Sequence, residues 1–207
     1  MQQHAEPPGD RISTMTFRSS PPSDRGALRG AIPSFAPQRA TSSEVVIVDA
    51  VPGAVQFGSW NNIMFAAWEA PADAISVSRL DALGKNFRRA RPGKRLSGIH
   101  ILREGVGLPT PEGRAGLMNM MKADSDHFGA IAVVICGSGF VASAVRSFLA
   151  GLRLLAPRSF EFRLHAKTFE ILKWFPAAHY SRTGEQVDAP RLGRVIQSFE
   201  TKLNWHS

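Results

Sequence analysis

Four short apolar runs, NIMFAAW (62–68), LSGIHIL (96–102), AIAVVIC (130–136) and FEFRLH (160–165), each precede a segment whose apolar residues recur every three or four positions. Strand-like runs alternating with helix-like ones predict four βα turns in series, and so an α/β fold built on a mainly parallel sheet. Ala130 to Cys136 shows no polar alternation, the mark of a central strand covered on both faces. Ahead of these units, Glu44 to Ala50 and Ala54 to Gly58 flank Val51-Pro52-Gly53, a turn signal that predicts an N-terminal β-hairpin.

Local chemistry places the helices. Asp73 is an N-cap for a helix that presents Val77, Leu80, Leu83 and Phe87 on one stripe. Thr110-Pro111-Glu112 supplies a cap hydroxyl, a proline at the first helical position and an acid in the first turn, ahead of Leu117, Met120 and Met121. Val141, Val145, Phe148, Leu152 and Leu155 form the strongest helical stripe. A last core helix is expected over Ala166 to Phe175, stopped by Pro176. A separate amphipathic helix from Asp188, with Pro190 in its first turn, carries Leu192, Val195, Ile196, Phe199 and Leu203. Packing on its own domain is the simpler use of that stripe, and pairing with a partner or a second copy is the other.

Three segments result. Residues 1–43 are rich in Pro, Ser, Gly and Arg without apolar period and read as a disordered basic tail, residues 44–175 as the α/β domain, and residues 176–207 as a C-terminal extension. A chain of 207 residues that is 43% hydrophobic can bury one substantial core. No apolar run approaches the roughly 18 residues needed to cross a bilayer, no signal-like apolar stretch opens the chain, and Cys136 is the single cysteine. A cytoplasmic setting is the simplest expectation.

The formal net charge is +8, and its densest source is KNFRRARPGKR, where Lys85, Arg88, Arg89, Arg91, Lys94 and Arg95 occur without an acid. Cations at a helix C-terminus complement its dipole, so a solvated helix end is the simpler reading of the patch and an anion site the other. With only Phe87 interleaved, single-stranded nucleic acid is disfavoured, while peripheral contact with acidic lipid stays open.

Candidate chemistry is sparse. Gly137, Ser138, Gly139 and Ala142 fit a dinucleotide-type G-x-G-x-x-A turn at a strand-to-helix junction, whose amides suit a pyrophosphate. The acid expected near the end of the next strand is missing there, since Glu161 stands at its start, and few βα units remain downstream. Cys136 reads as a small buried hydrophobe. Ser138 lacks the first glycine of a nucleophile elbow, and His100, His127, His165 and His179 show no zinc spacing. Glu112, Asp124 and Asp126 read as cap and turn groups. No catalytic set, metal or cofactor is expected.

The segments AAWEAPAD (66–73), AIAVVICG (130–137) and SFEFRLHAKTFEILKWF (159–175), with the basic helix and the glycine-bearing loop between them, stand in an order that resembles STAS domains, and most closely their SpoIIAA-like relatives. In that group the third core strand carries an alanine-valine run and the last strand leads into a helix of form x-x-A-x-x-W-L. Phe169, Ile171, Leu172, Trp174 and Phe175 occupy comparable positions here. The resemblance implies a four-turn βα superhelix that acts without catalysis as a regulatory or scaffolding module, by binding a protein or in some relatives lipids or nucleotides. The corresponding partner surface is Gly105, Gly107, Thr110, Glu112 and Arg114. Anti-sigma-factor antagonists of the group carry a phosphorylated serine in a D-S/T-S-G segment, where this chain has GLPTPEGR with Thr110 as its one hydroxyl. Phosphorylation of Thr110 would place about two negative charges at a helix N-terminus.

Overall fold

Six strands form one sheet in the order in which the chain visits them. In the computed structural model, which describes residues 44–155 and 159–203, β1 (Val46–Val51), β2 (Val55–Trp60) and β3 (Ile63–Trp68) make an antiparallel meander. β4 (Leu96–Leu102), β5 (Phe128–Ile135) and β6 (Glu161–His165) then run parallel to β3. The expected tail at 1–43 lies outside the described residues. Each reversal in the meander has a local cause. Gly53 takes φ +69° after Pro52, and Asn61, the one described non-glycine residue with positive φ, turns β2 into β3.

The parallel crossovers are α1 (Ala74–Ala90), α2 (Pro111–Asp124) and α3 (Gly139–Leu155). Alternate strand residues separate two cores. Met64, Ala66 and Trp68 meet Val77, Leu80 and Phe87 of α1, and Ile131, Val133 and Ile135 meet Val145, Leu149 and Leu152 of α3. On the opposite face Phe65, Ala67, Ile99, Ile101, Ala132 and Val134 pack under the segments that follow β6. β5 is therefore buried at all eight positions, which is why its sequence shows no alternation.

The expected helix over Ala166 to Phe175 is replaced by a 3₁₀ stretch, Thr168–Lys173, and by α4 (Phe175–Thr183). Pro176 opens that helix instead of ending one, because the first turn needs no intrahelical N–H donor. The α3 stripe also departs from expectation at its start. Val141 is 46% exposed while Ala142 and Leu149 are buried, and the side chain of Leu155 lies outside the described residues. α5 (Ala189–Lys202) is capped by Asp188, which accepts from the Arg191 amide at 2.7 Å. Its stripe of Leu192, Val195, Ile196, Phe199 and Leu203 is buried within the chain, with the Phe199 ring 5.4 Å from that of Phe65. A second copy would have to use another surface.

Candidate functional site

The loop after β4 and the start of α2 stand at the C-terminal ends of the parallel strands. Thr110 caps α2 by accepting from the Gly113 amide at 3.1 Å, and its own amide donates to the Ala72 carbonyl at 3.0 Å. Gly113 is required here, since a β-carbon would lie 2.8 Å from that carbonyl carbon and would overlap its oxygen. One turn on, a β-carbon at Gly116 would lie 2.9 Å from Val77 Cγ1, so Gly113 seats α2 against the segment that leads into α1 and Gly116 seats it against α1 itself. Gly105 adopts φ +85°, and Glu112 and Arg114 are exposed beside Leu108, an apolar side chain 41% open to solvent.

Toward the sheet, α2 is held less closely. Leu117, Met120 and Met121 of α2, with Trp68, Leu102, Val106, Pro109, Val133 and Leu149, line an apolar cavity of about 90 Å³. One polar side chain, His100, reaches its wall. The Trp68 indole N–H donates to His100 Nδ1 at 3.3 Å, which leaves the imidazole proton on Nε2. Burial lowers the His100 pKa to about 4, so the ring is neutral at physiological pH. Neither the cavity nor the Trp68–His100 bond carries a signal in the sequence, because the lining comes from segments scattered between residues 68 and 162.

The Gly137 turn lies beside this loop. Gly137 and Gly139 take φ +82° and +87°, conformations that call for glycine whether or not a ligand binds. A β-carbon at Gly137 would lie 2.8 Å from Glu104 Oε1, so a carboxylate packs against the turn, where it repels a pyrophosphate. Arg146 donates to the carbonyls of Ile135 and Gly137 at 3.0 Å each, tying down the other side. Ser138 is exposed and Ala142 is buried against the sheet. The strand order also contains no reversal, and so no crevice of the kind that receives dinucleotides in doubly wound sheets.

This chain matches no family model, no curated protein and no solved structure.

The basic residues lie at the other end of the sheet, about 20 Å away along strands of seven residues. Lys85, Arg88, Arg89, Arg91, Lys94 and Arg95 converge on one concavity with Asp126 and His127. The remaining histidines stand apart. His165 accepts from the Trp174 indole N–H at 2.8 Å and faces Glu170, and burial lowers its pKa despite that carboxylate. His179 is fully buried beside Ser97. Burial, followed by Glu200 and Glu104, raises the Cys136 thiol, and the residue is half-buried rather than fully buried, packed against the core cluster. Among the described residues no three His, Cys, Asp or Glu side chains gather as metal ligands, and no helix is long and apolar enough to cross a membrane.

Proposed function

We propose that this chain is a STAS-like regulatory or scaffolding module that works by binding a protein partner, without catalysis, in the cytoplasm. The observation that carries the reading is the placement of α2. It leans on the start of α1 and the segment before it through Gly116 and Gly113, while its sheet-facing side chains border the cavity. A helix seated firmly on one neighbour and loosely on another can shift by a small amount at little cost in contacts. Its N-terminal end presents Leu108, Glu112 and Arg114 together, an apolar side chain flanked by charges of both signs. Phosphorylation of Thr110 would replace the cap hydroxyl by a dianion at this spot, changing the charge of the surface without entering the core. The four-turn superhelix of the STAS group belongs to the same proposal.

The test is capture from native lysate with the full chain and with a Gly107→Asp, Arg114→Glu variant. Both changes are compatible with folding: a β-carbon at Gly107 meets only Pro71 Cγ at an ordinary 3.6 Å, and Arg114 is exposed. Loss of specific partners by the variant is expected. Retention of every captured protein would remove this surface from consideration.

A further inference from the structure

We infer that the basic concavity at the foot of the sheet is a binding site for clustered phosphates carried by a compact ligand, either a free polyphosphorylated small molecule or a lipid headgroup. Six cations line a hollow of about 520 Å³, a volume within the usual range for small-molecule sites. Most are already held in place by protein groups. Lys85 pairs with Asp81 at 2.6 Å, Arg88 with Asp124 at 3.0 Å, Arg91 donates to the Asn61 carbonyl and to Asn62 Oδ1, and Arg95 donates to the Ser159 carbonyl at 3.1 Å. Cations anchored this way lose little further freedom on meeting an anion.

Helix-end electrostatics account for only part of the cluster. Arg88 and Arg89 sit in the last turn of α1 and complement its dipole, whereas Arg91, Lys94 and Arg95 lie past the helix. Pairing does not account for the rest. Asp81 and Asp124 take Lys85 and Arg88, and Glu185 acts on Arg91. Arg89 bonds only the Asn86 side chain and Arg95 a backbone carbonyl, so Arg89, Lys94 and Arg95 have no carboxylate partner among the described residues. The lining offers one acid, Asp126, beside His127. Planar guanidinium forks around a concave floor pair two-by-two with phosphate oxygens, and the predominance of arginine over lysine in this lining fits an anion of several phosphate groups.

The shape and lining argue against nucleic acid. No Phe, Tyr or Trp lines the hollow, and Phe87, the nearest aromatic in sequence, is 1% exposed with the Arg91 guanidinium over its ring at 4.7 Å. A base would find nothing to stack on. The site lies at the opposite end of the sheet from the α2 surface, so the two proposals stand or fall separately.

The experiment is calorimetric titration of the full chain with inorganic triphosphate in low salt. Saturable binding is expected, weakening roughly tenfold between about 0.05 and 0.3 M salt. The variant Arg89→Glu, Lys94→Glu alters two exposed side chains with no tertiary partner, and should weaken binding by about tenfold or more with an unchanged circular dichroism spectrum. A variant with the same charge change elsewhere, Arg153→Glu, Arg194→Glu, should keep the affinity of the natural chain. Absent binding both to triphosphate and to vesicles bearing a polyphosphorylated inositol lipid, or equal weakening in both variants, overturns the site. Such vesicles separate the sources: binding to vesicles but not to triphosphate, lost in the first variant, assigns the headgroup. Affinity for a duplex oligonucleotide that grows with its length and exceeds that for triphosphate overturns the compact ligand in favour of nucleic acid.

Discussion

His179 Nδ1 lies 2.8 Å from Ser97 Oγ inside the core, 82 residues away in the chain, while Ser97 Oγ also accepts the Ala130 amide at 3.1 Å. One hydroxyl thus ties α4 to β4 and β5. The other imidazole nitrogen, Nε2, is buried without a hydrogen-bond partner. Replacing His179 by Phe removes that unpaired group along with the bond, and Phe175 already stacks on the ring at 5.9 Å with an interplanar angle of 10°. His179→Phe is expected to cost no more than about 1 kcal/mol at pH 7.5, as read from urea unfolding. A loss several times larger would mean that the bond to Ser97 is worth far more than an ordinary neutral pair.

Acid should weaken this protein earlier than carboxylate chemistry alone requires. Burial lowers both His100 and His179 to about 4 in the folded state, so the unfolded chain takes up their protons first as pH falls through 6.5. Stability is then fully present above about pH 7 and is lost between pH 6.5 and 4, by roughly 3 kcal/mol for each group once both states are protonated. Glu200, whose carboxyl is raised by burial, binds its proton earlier in the folded state and offsets part of the loss near the bottom of that window. Urea midpoints measured from pH 7.5 to 4.5 should fall steadily, and His179→Phe should flatten the profile. A flat profile in the natural chain would contradict the burial of both rings.

Two neighbouring glycines should respond in opposite ways. Gly113→Ala drives a methyl group into the Ala72 carbonyl, and is expected to destabilise by about 2 kcal/mol or more and to loosen α2. Gly107→Ala meets only Pro71 Cγ at 3.6 Å and should stay within about 0.5 kcal/mol of the natural chain. Chemical denaturation of the pair decides whether α2 is seated against the segment that leads into α1.

The cap of α2 can be tested without touching packing. Thr110→Ala removes the acceptor for the Gly113 amide and should cost about 1 kcal/mol, while Thr110→Asp keeps an acceptor and adds favourable charge at the helix start. Equal thermal stability for the two variants would show that the cap contributes nothing.

Filling the cavity should stabilise. Val133→Ile adds one methylene to the wall of this apolar space of about 90 Å³, worth roughly 0.8 kcal/mol when buried there. A rise of about 2 °C in melting temperature is expected, and Leu149→Ala should lower stability by about 3 kcal/mol. A drop for Val133→Ile would mean that the space is not available to that side chain.

The legible part of this fold is local. The Asp73, Thr110 and Asp188 caps and the bounds of β4 are written in adjacent residues, so reading them needs no tertiary knowledge. The basic run reads as a cluster for the same reason. Pro176 is ambiguous on its face, since proline ends one helix and begins another by the same missing N–H. Of the expected α3 stripe Val145 and Leu152 are buried, and only Val141 gives way to its neighbour Ala142, because both fit a helical period and only the sheet decides which turns inward. The cavity, the Trp68–His100 bond and the Ser97–His179 tie join residues 32 to 82 positions or more apart, and nothing near any one of them announces the others.

Because the strands lie in the order of synthesis, each can join its neighbour as it emerges, and the growing sheet never has to wait for a distant partner strand. The exception is α5. Phe199 fits so closely over Gly58 that a β-carbon there would lie 3.0 Å from its ring, and Lys202 donates to the Val45 carbonyl at 2.9 Å. A C-terminal helix thus closes over the hairpin of β1 and β2, far earlier in the chain. Until α5 has folded over it, the part of the sheet face around Phe65 and Gly58 stays uncovered, and that interval, not the pairing of strands, is when the chain is most exposed to aggregation or to a chaperone.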